Sequence, residues 1–289
     1  MSFNAIQSAL EGFRVTQREP RAILLWSLLH TFPLIFVLIF AGPQMVQVVS
    51  LMVQMRETDP STMDWQAIGQ TNATLSLWTA PTALALSAMI KAAAARAVLT
   101  PDDNRFGYLR LGMDEVRVFG VNVVMALMFG ALAGVVFLLP LSAAATPILA
   151  LPALLAMMGG VVVLVWLALR LSLAVPLTVA EKRFAPFASF PLTKGRLRPL
   201  MGMAVLAGVM ALLVSLLGAM VAAPLTSLTG GLESLAGADT ADMGKLLLSL
   251  WPAMTSWVVI SAVLAAARAA ILETPFTRAY LNIKALGPK

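Results

Sequence analysis

The stretch VFGVNVVMALMFGALAGVVFLLPLSAAATPILALPALLAMMGGVVVLVWLAL, residues 118–169, runs for 52 residues without one charged side chain. An α-helix crosses the roughly 30 Å hydrocarbon layer of a bilayer in about 20 residues, so the stretch holds two crossings. It breaks where Leu139-Pro140 and Thr146-Pro147 bracket a short turn, since proline ends or kinks a helix. The residues are continuously apolar and do not alternate as barrel strands do, so the crossings are helices.

Charge-free runs recur at 22–42, 65–90, 200–232 and 246–267, and each fits one crossing. Six spans follow, at about 22–42, 75–97, 117–139, 147–172, 200–224 and 246–270. Composition agrees: 12% of residues are charged and the mean hydropathy is +0.88, too apolar for a polar skin. The fold class is all-α, and residues 1–289 read as a single integral membrane domain with six transmembrane helices.

The charges orient the chain. Eighteen of the 20 Lys and Arg residues fall on one side of the six-span arrangement, with eight acidic residues; the other side holds Arg56 and Lys245 with six. Excess Lys and Arg marks the cytoplasmic face, which puts both termini in the cytoplasm and residues 43–74, 140–146 and 225–245 outside. Trp78 and Trp251 fall at outer span ends, Tyr108 and Tyr280 just past inner ones. A pI near 10.2 is here a topology signal and an attraction to anionic headgroups, not a mark of nucleic-acid binding, because the basic residues sit beside spans. The N-terminal segment lacks the layout of a cleavable signal and is expected to stay attached.

A phrase repeats along the inner side: AAARAVLTP at 93–101, AAARAAILETP at 265–275 and a looser LRLSLAVPL at 169–177. Arg96, Arg170 and Arg268 each lie near the cytoplasmic end of an even-numbered span, followed by Pro101, Pro176 and Pro275 and then by Phe106, Phe184 and Phe276. Each odd-numbered span follows a polar-apolar segment, at 3–20, 106–120 and 187–202. In the first, Phe3, Ile6, Leu10 and Phe13 share a helical face flanked by Arg14 and Arg18. The chain thus reads as three parallel hairpin repeats, each an interfacial amphipathic helix followed by two spans. The three arginines should occupy equivalent positions, their stems in hydrocarbon and their guanidinium groups lifted to phosphate or water. Alternatively they point inward to hold phosphate or a carboxylate, for which Glu115, Glu181 and Glu273 are the candidate ion-pair partners.

Little catalytic chemistry is written here. The chain has no cysteine, and its one histidine, His30, has no carboxylate or second histidine near it in sequence; a helix-packing hydrogen bond is the expected role. Asp102-Asp103 and Asp114-Glu115 read as solvated connectors. No acid sits at mid-depth, which disfavours a carboxylate-based ion pathway. Nucleophile elbow, phosphate loop and zinc motifs are absent from the sequence. No catalytic residue, metal or cofactor is therefore assigned.

The stretch RLSLAVPLTVAEKRFAPFASFPLTKGRLR, 170–198, resembles a signature of bacterial six-helix inner-membrane proteins, a family that includes the membrane domain of some glycerophosphodiester phosphodiesterases. The matching residues are Arg170, Pro176, Glu181, Leu192, Thr193, Lys194 and Gly195; the family's Ser before Leu-Thr-Lys-Gly is displaced, since Ser189 is followed by Phe190-Pro191. The resemblance implies a fold and a bacterial inner-membrane address, not the phosphodiesterase's activity, which belongs to a separate barrel. The expected function is a non-catalytic, lipid-interacting or partner-binding module, with membrane lipids and a membrane protein as partners. A transporter or permease for a small amphiphile or lipid is the alternative.

Overall fold

The computed structural model describes residues 5–40, 65–144, 146–228 and 243–286, and among them there are helices and turns but no strand. The helices are α1 (Ala5–Ala9), α2 (Glu11–Arg18), α3 (Pro20–Phe40), α4 (Trp65–Leu99), α5 (Met113–Ala144), α6 (Pro147–Leu171), α7 (Ala174–Glu181), α8 (Ser189–Thr193), α9 (Leu197–Leu228) and α10 (Met243–Ala285). Five segments are long and apolar enough to cross a bilayer: Thr79–Leu99, Arg105–Leu138, Ile148–Glu181, Leu197–Pro224 and Thr255–Ala285. The chain is an all-helical, multi-pass membrane protein. The expected outer segments 43–64 and 229–242, Phe3, and the side chains of Trp78, Trp251 and Lys245 lie outside the described residues.

Four details differ from the sequence reading. Residues 65–74, which precede the expected 75–97 span, form the first turns of α4, whose 35 residues span about 52 Å at 1.5 Å per residue. Pro140 lies inside α5, and α6 begins after Thr146 with Pro147 opening it, where a missing N–H is no loss. Pro275 does not end the last helix, because α10 continues to Ala285. In that helix the Thr274 hydroxyl donates to the Ala270 carbonyl at 2.7 Å. The three segments expected as interfacial helices differ from one another: residues 3–20 supply α1 and α2 before α3. Residues 106–120 supply a turn and then the first turns of α5, and 187–202 supply the five-residue α8 before α9 begins.

The described residues fall into two compact units. The first gathers residues 1–19, 87–210 and 269–289. Its core is built from Leu173, Leu177, Leu200, Met203, Tyr280 and Ile283, all buried. A second, alanine-rich cluster of Ala88, Ala92, Ala95, Val118 and Val179 lets backbones approach closely. α5 and α6 pack along one another, with Gly160 against Val136; α7 rests on α5, and α8 on α6. Within this unit α2 lies so close to α10 that a methyl group at Gly12 would collide with Ile271 Cα and sit 2.8 Å from the Ala270 carbonyl.

The second unit gathers residues 20–86 and 211–268. Trp26 is fully buried in it, and Gly218 of α9 meets Leu264 of α10. Several of its hydroxyls bond within their own helices, which suits hydrocarbon: Ser27 to the Ile23 carbonyl, Thr79 to Leu75 and Ser215 to Ala211. His30 does the same, its Nδ1 lying 2.8 Å from the Trp26 carbonyl.

Candidate functional site: a basic, aromatic-studded surface on an arginine frame

Pro101 cannot donate to the carbonyl of Ala97, so the last turn of α4 is left with an orphan acceptor. Arg18 of α2 fills that role, donating to the Ala97 carbonyl at 2.8 Å, while the Thr100 hydroxyl donates to the Arg96 carbonyl at 3.2 Å. The chain then turns through Phe106, Gly107 and Tyr108, all with φ between 50° and 64°. Left-handed backbone is unfavourable at the two non-glycine positions, and specific contacts hold it. The Tyr108 hydroxyl donates to the Pro101 carbonyl at 2.9 Å, and the Tyr108 carbonyl accepts from Arg96 at 3.0 Å.

Arg96 is the hub of this frame. Its side chain is 8% exposed, with Nη1 2.6 Å from Glu115 Oε1 and Nη2 3.5 Å from Asp114 Oδ2. The other Glu115 oxygen accepts the Gly112 N–H at 3.0 Å, and Arg117 holds the far side of Asp114 at 2.9 Å. One buried guanidinium thus joins the end of α4, the turn and the start of α5.

The other candidate residues stand in different surroundings. Arg170, in the first unit, donates to the Phe190 carbonyl at 3.2 Å and lies over the Trp166 ring at 5.4 Å. Arg268, in the second unit, is exposed and donates to the Ser215 hydroxyl at 3.5 Å. Glu181 pairs with Arg183 at 2.7 Å and accepts from the Tyr280 hydroxyl at 3.3 Å. Glu273 lies 3.8 Å from Lys91. Of the candidate pairs, the structure brings together Arg96 and Glu115.

On this frame the connections carry exposed apolar side chains among exposed cations. Phe106 is 80% and Leu111 87% exposed, next to Arg105 and Arg110; Phe184 and Phe187 stand beside Lys182 and Arg183. Ile6 and Leu10 of α1 and its following turn are exposed as well, whereas the small face of Ala9, Gly12 and Val15 packs inward. Arg110 is tied to Asp103, and its guanidinium holds the Asp103 carboxyl below the usual carboxylate range. Large apolar tips surrounded by Arg and Lys match the boundary between headgroups and acyl chains.

Sequence reading missed a second polar group in the first unit. Lys91 of α4 lies 3.5 Å from Asn122 Oδ1 on α5 and 3.8 Å from Glu273 on α10, and Asn122 donates to Ser87 at 3.4 Å. The signal was present, since Lys91 lies inside the 75–97 span, but counting it with the basic connection concealed it. No protein-family model, curated protein or solved structure matches this chain.

Proposed function

We propose that the chain is a non-catalytic protein of the bacterial inner membrane, related to the six-helix family named above, that engages anionic lipid headgroups through a basic cytoplasmic face. The observation that carries the reading is the interleaving of Phe106, Leu111, Phe184 and Phe187 with Arg105, Arg110, Lys182 and Arg183 on connecting segments, where water alone would favour polar tips. Each Lys or Arg near an anionic surface contributes about 1 kcal/mol of attraction. In this reading α3, a 21-residue helix with no charge after Arg21, is the sixth span, and three hairpins enter the membrane in the same direction. The test is lipid enrichment in nanodiscs of mixed phosphatidylglycerol and phosphatidylethanolamine. Wild type should concentrate the anionic lipid, and Arg105→Gln, Lys182→Gln and Arg183→Gln combined should halve that enrichment or more. Equal headgroup composition around both proteins would refute the reading.

A transporter or permease for a small amphiphile is the second reading. It is favoured by Lys91, Asn122, Ser87 and Glu273, because ionisable groups inside spans mark pathways. Uptake of a labelled amphiphile into proteoliposomes, abolished by Lys91→Met, would support it over the first.

A further inference from the structure

We infer that the second unit holds a discrete site for one anionic glycerophospholipid, its phosphate on Arg268 and one acyl chain in the groove between α9 and α10. The inference rests on the lipid-engaging reading but places the lipid away from the basic connections. The groove has a volume of about 370 Å³ and is walled only by apolar residues, among them Val214, Leu217, Val221, Val259 and Val263. A site of that size falls within the usual range of ligand pockets, about 300–1,000 Å³. Its walls belong to two of the membrane-crossing segments, so an apolar chain fits it and water does not.

The polar end is equally defined. Arg268 follows Leu264 by one helical turn on α10, and Ser215 follows Val214 on α9, so both sit where the groove ends. Arg96 is consumed by two carboxylates and Arg170 by a backbone carbonyl and an indole. Arg268 is exposed, touches a hydroxyl at the limit of hydrogen bonding, and among the described residues pairs with no carboxylate. A guanidinium at a span end needs an anion or water, and its planar fork matches a phosphate in bidentate contact. A cation at the mouth of an apolar groove complements an anionic head with an apolar tail.

The test is native mass spectrometry of the full chain in neutral, phosphate-free detergent, titrated with phosphatidylglycerol, with glycerol phosphate and with inorganic phosphate. Wild type should retain one phosphatidylglycerol that neither free phosphate displaces. Arg268→Gln should weaken retention about tenfold, the loss of a charge-assisted hydrogen bond, and Arg268→Lys should weaken it less. Val221→Trp, which fills the groove from an exposed wall position and leaves the arginine intact, should give a comparable loss. The triple variant at Arg105, Lys182 and Arg183 should keep this single lipid, so failure of the basic-face reading and failure of this site are separable. The proposal is overturned if Arg268→Gln and Val221→Trp both retain the lipid as wild type does. Displacement by glycerol phosphate alone overturns it too, as does a dimer that Val221→Trp dissociates while lipid binding is unchanged.

Discussion

At the scale of single residues, burial separates two superficially similar ion pairs. Arg96 and Glu115 are 8% and 7% exposed, whereas Arg110 and Asp103 are 44% and 45% exposed. Removing one member of a buried pair strands the other charge and costs roughly 3–5 kcal/mol. Glu115→Gln is therefore expected to lower unfolding stability in detergent by about that amount and to loosen the turn at 101–112, read as faster proteolysis there. Asp103→Asn should shift the unfolding midpoint only slightly, because an exposed pair is screened by water and salt. The pH dependence has a definite sign. Arg110 lowers the Asp103 carboxyl in the folded chain, so its contribution is present above the ordinary Asp range and fades as pH falls through the lowered value. Salt should erase that small acid-side slope, and a salt-independent slope would contradict the exposed geometry. Sequence alone singled out Arg96, Arg170, Arg268 and three acids but could not assign partners. Sequence distance says nothing about which helix face meets which, and Glu181 and Glu273 found Arg183 and Lys91.

At the scale of elements, the spans were legible because hydrocarbon leaves the backbone no choice but helix. Segment 147–172 matches α6 (Pro147–Leu171) within a residue. The helix ends were less legible. Proline reads as a terminator in water, yet Pro140 and Pro275 sit within helices, as membrane helices tolerate. The three interfacial segments look alike as strings, but 106–120 begins with left-handed backbone at Phe106, Gly107 and Tyr108, and no helix forms there until Met113. The α1–α2 segment keeps its helices because a small face, Ala9 and Gly12, fits the protein while Ile6 and Leu10 stay outside. Gly12→Val should push α2 off Ala270 and Ile271, at about 1–3 kcal/mol. Fluorescence of a probe attached at position 7 would report the displaced helix; an unshifted signal and unchanged stability would contradict the close packing.

At the scale of the whole molecule, composition and the placement of Lys and Arg define an all-helical membrane chain without reference to any contact. Function is less legible, because the proposed lipid surface uses no motif. Phe106 and Leu111 beside arginines acquire meaning only when the turn at 105–112 is seen to hold them outward. The central claim is that every basic end faces the cytoplasm, where the anionic leaflet lies. Its most direct test is a set of reporter fusions active only outside the cytoplasm, placed after Pro60, Asp103, Gly195 and Gly237. Activity at Pro60 and Gly237 with silence at Asp103 and Gly195 is the expected result. Activity at Asp103 or Gly195, or silence at Pro60 or Gly237, would contradict it.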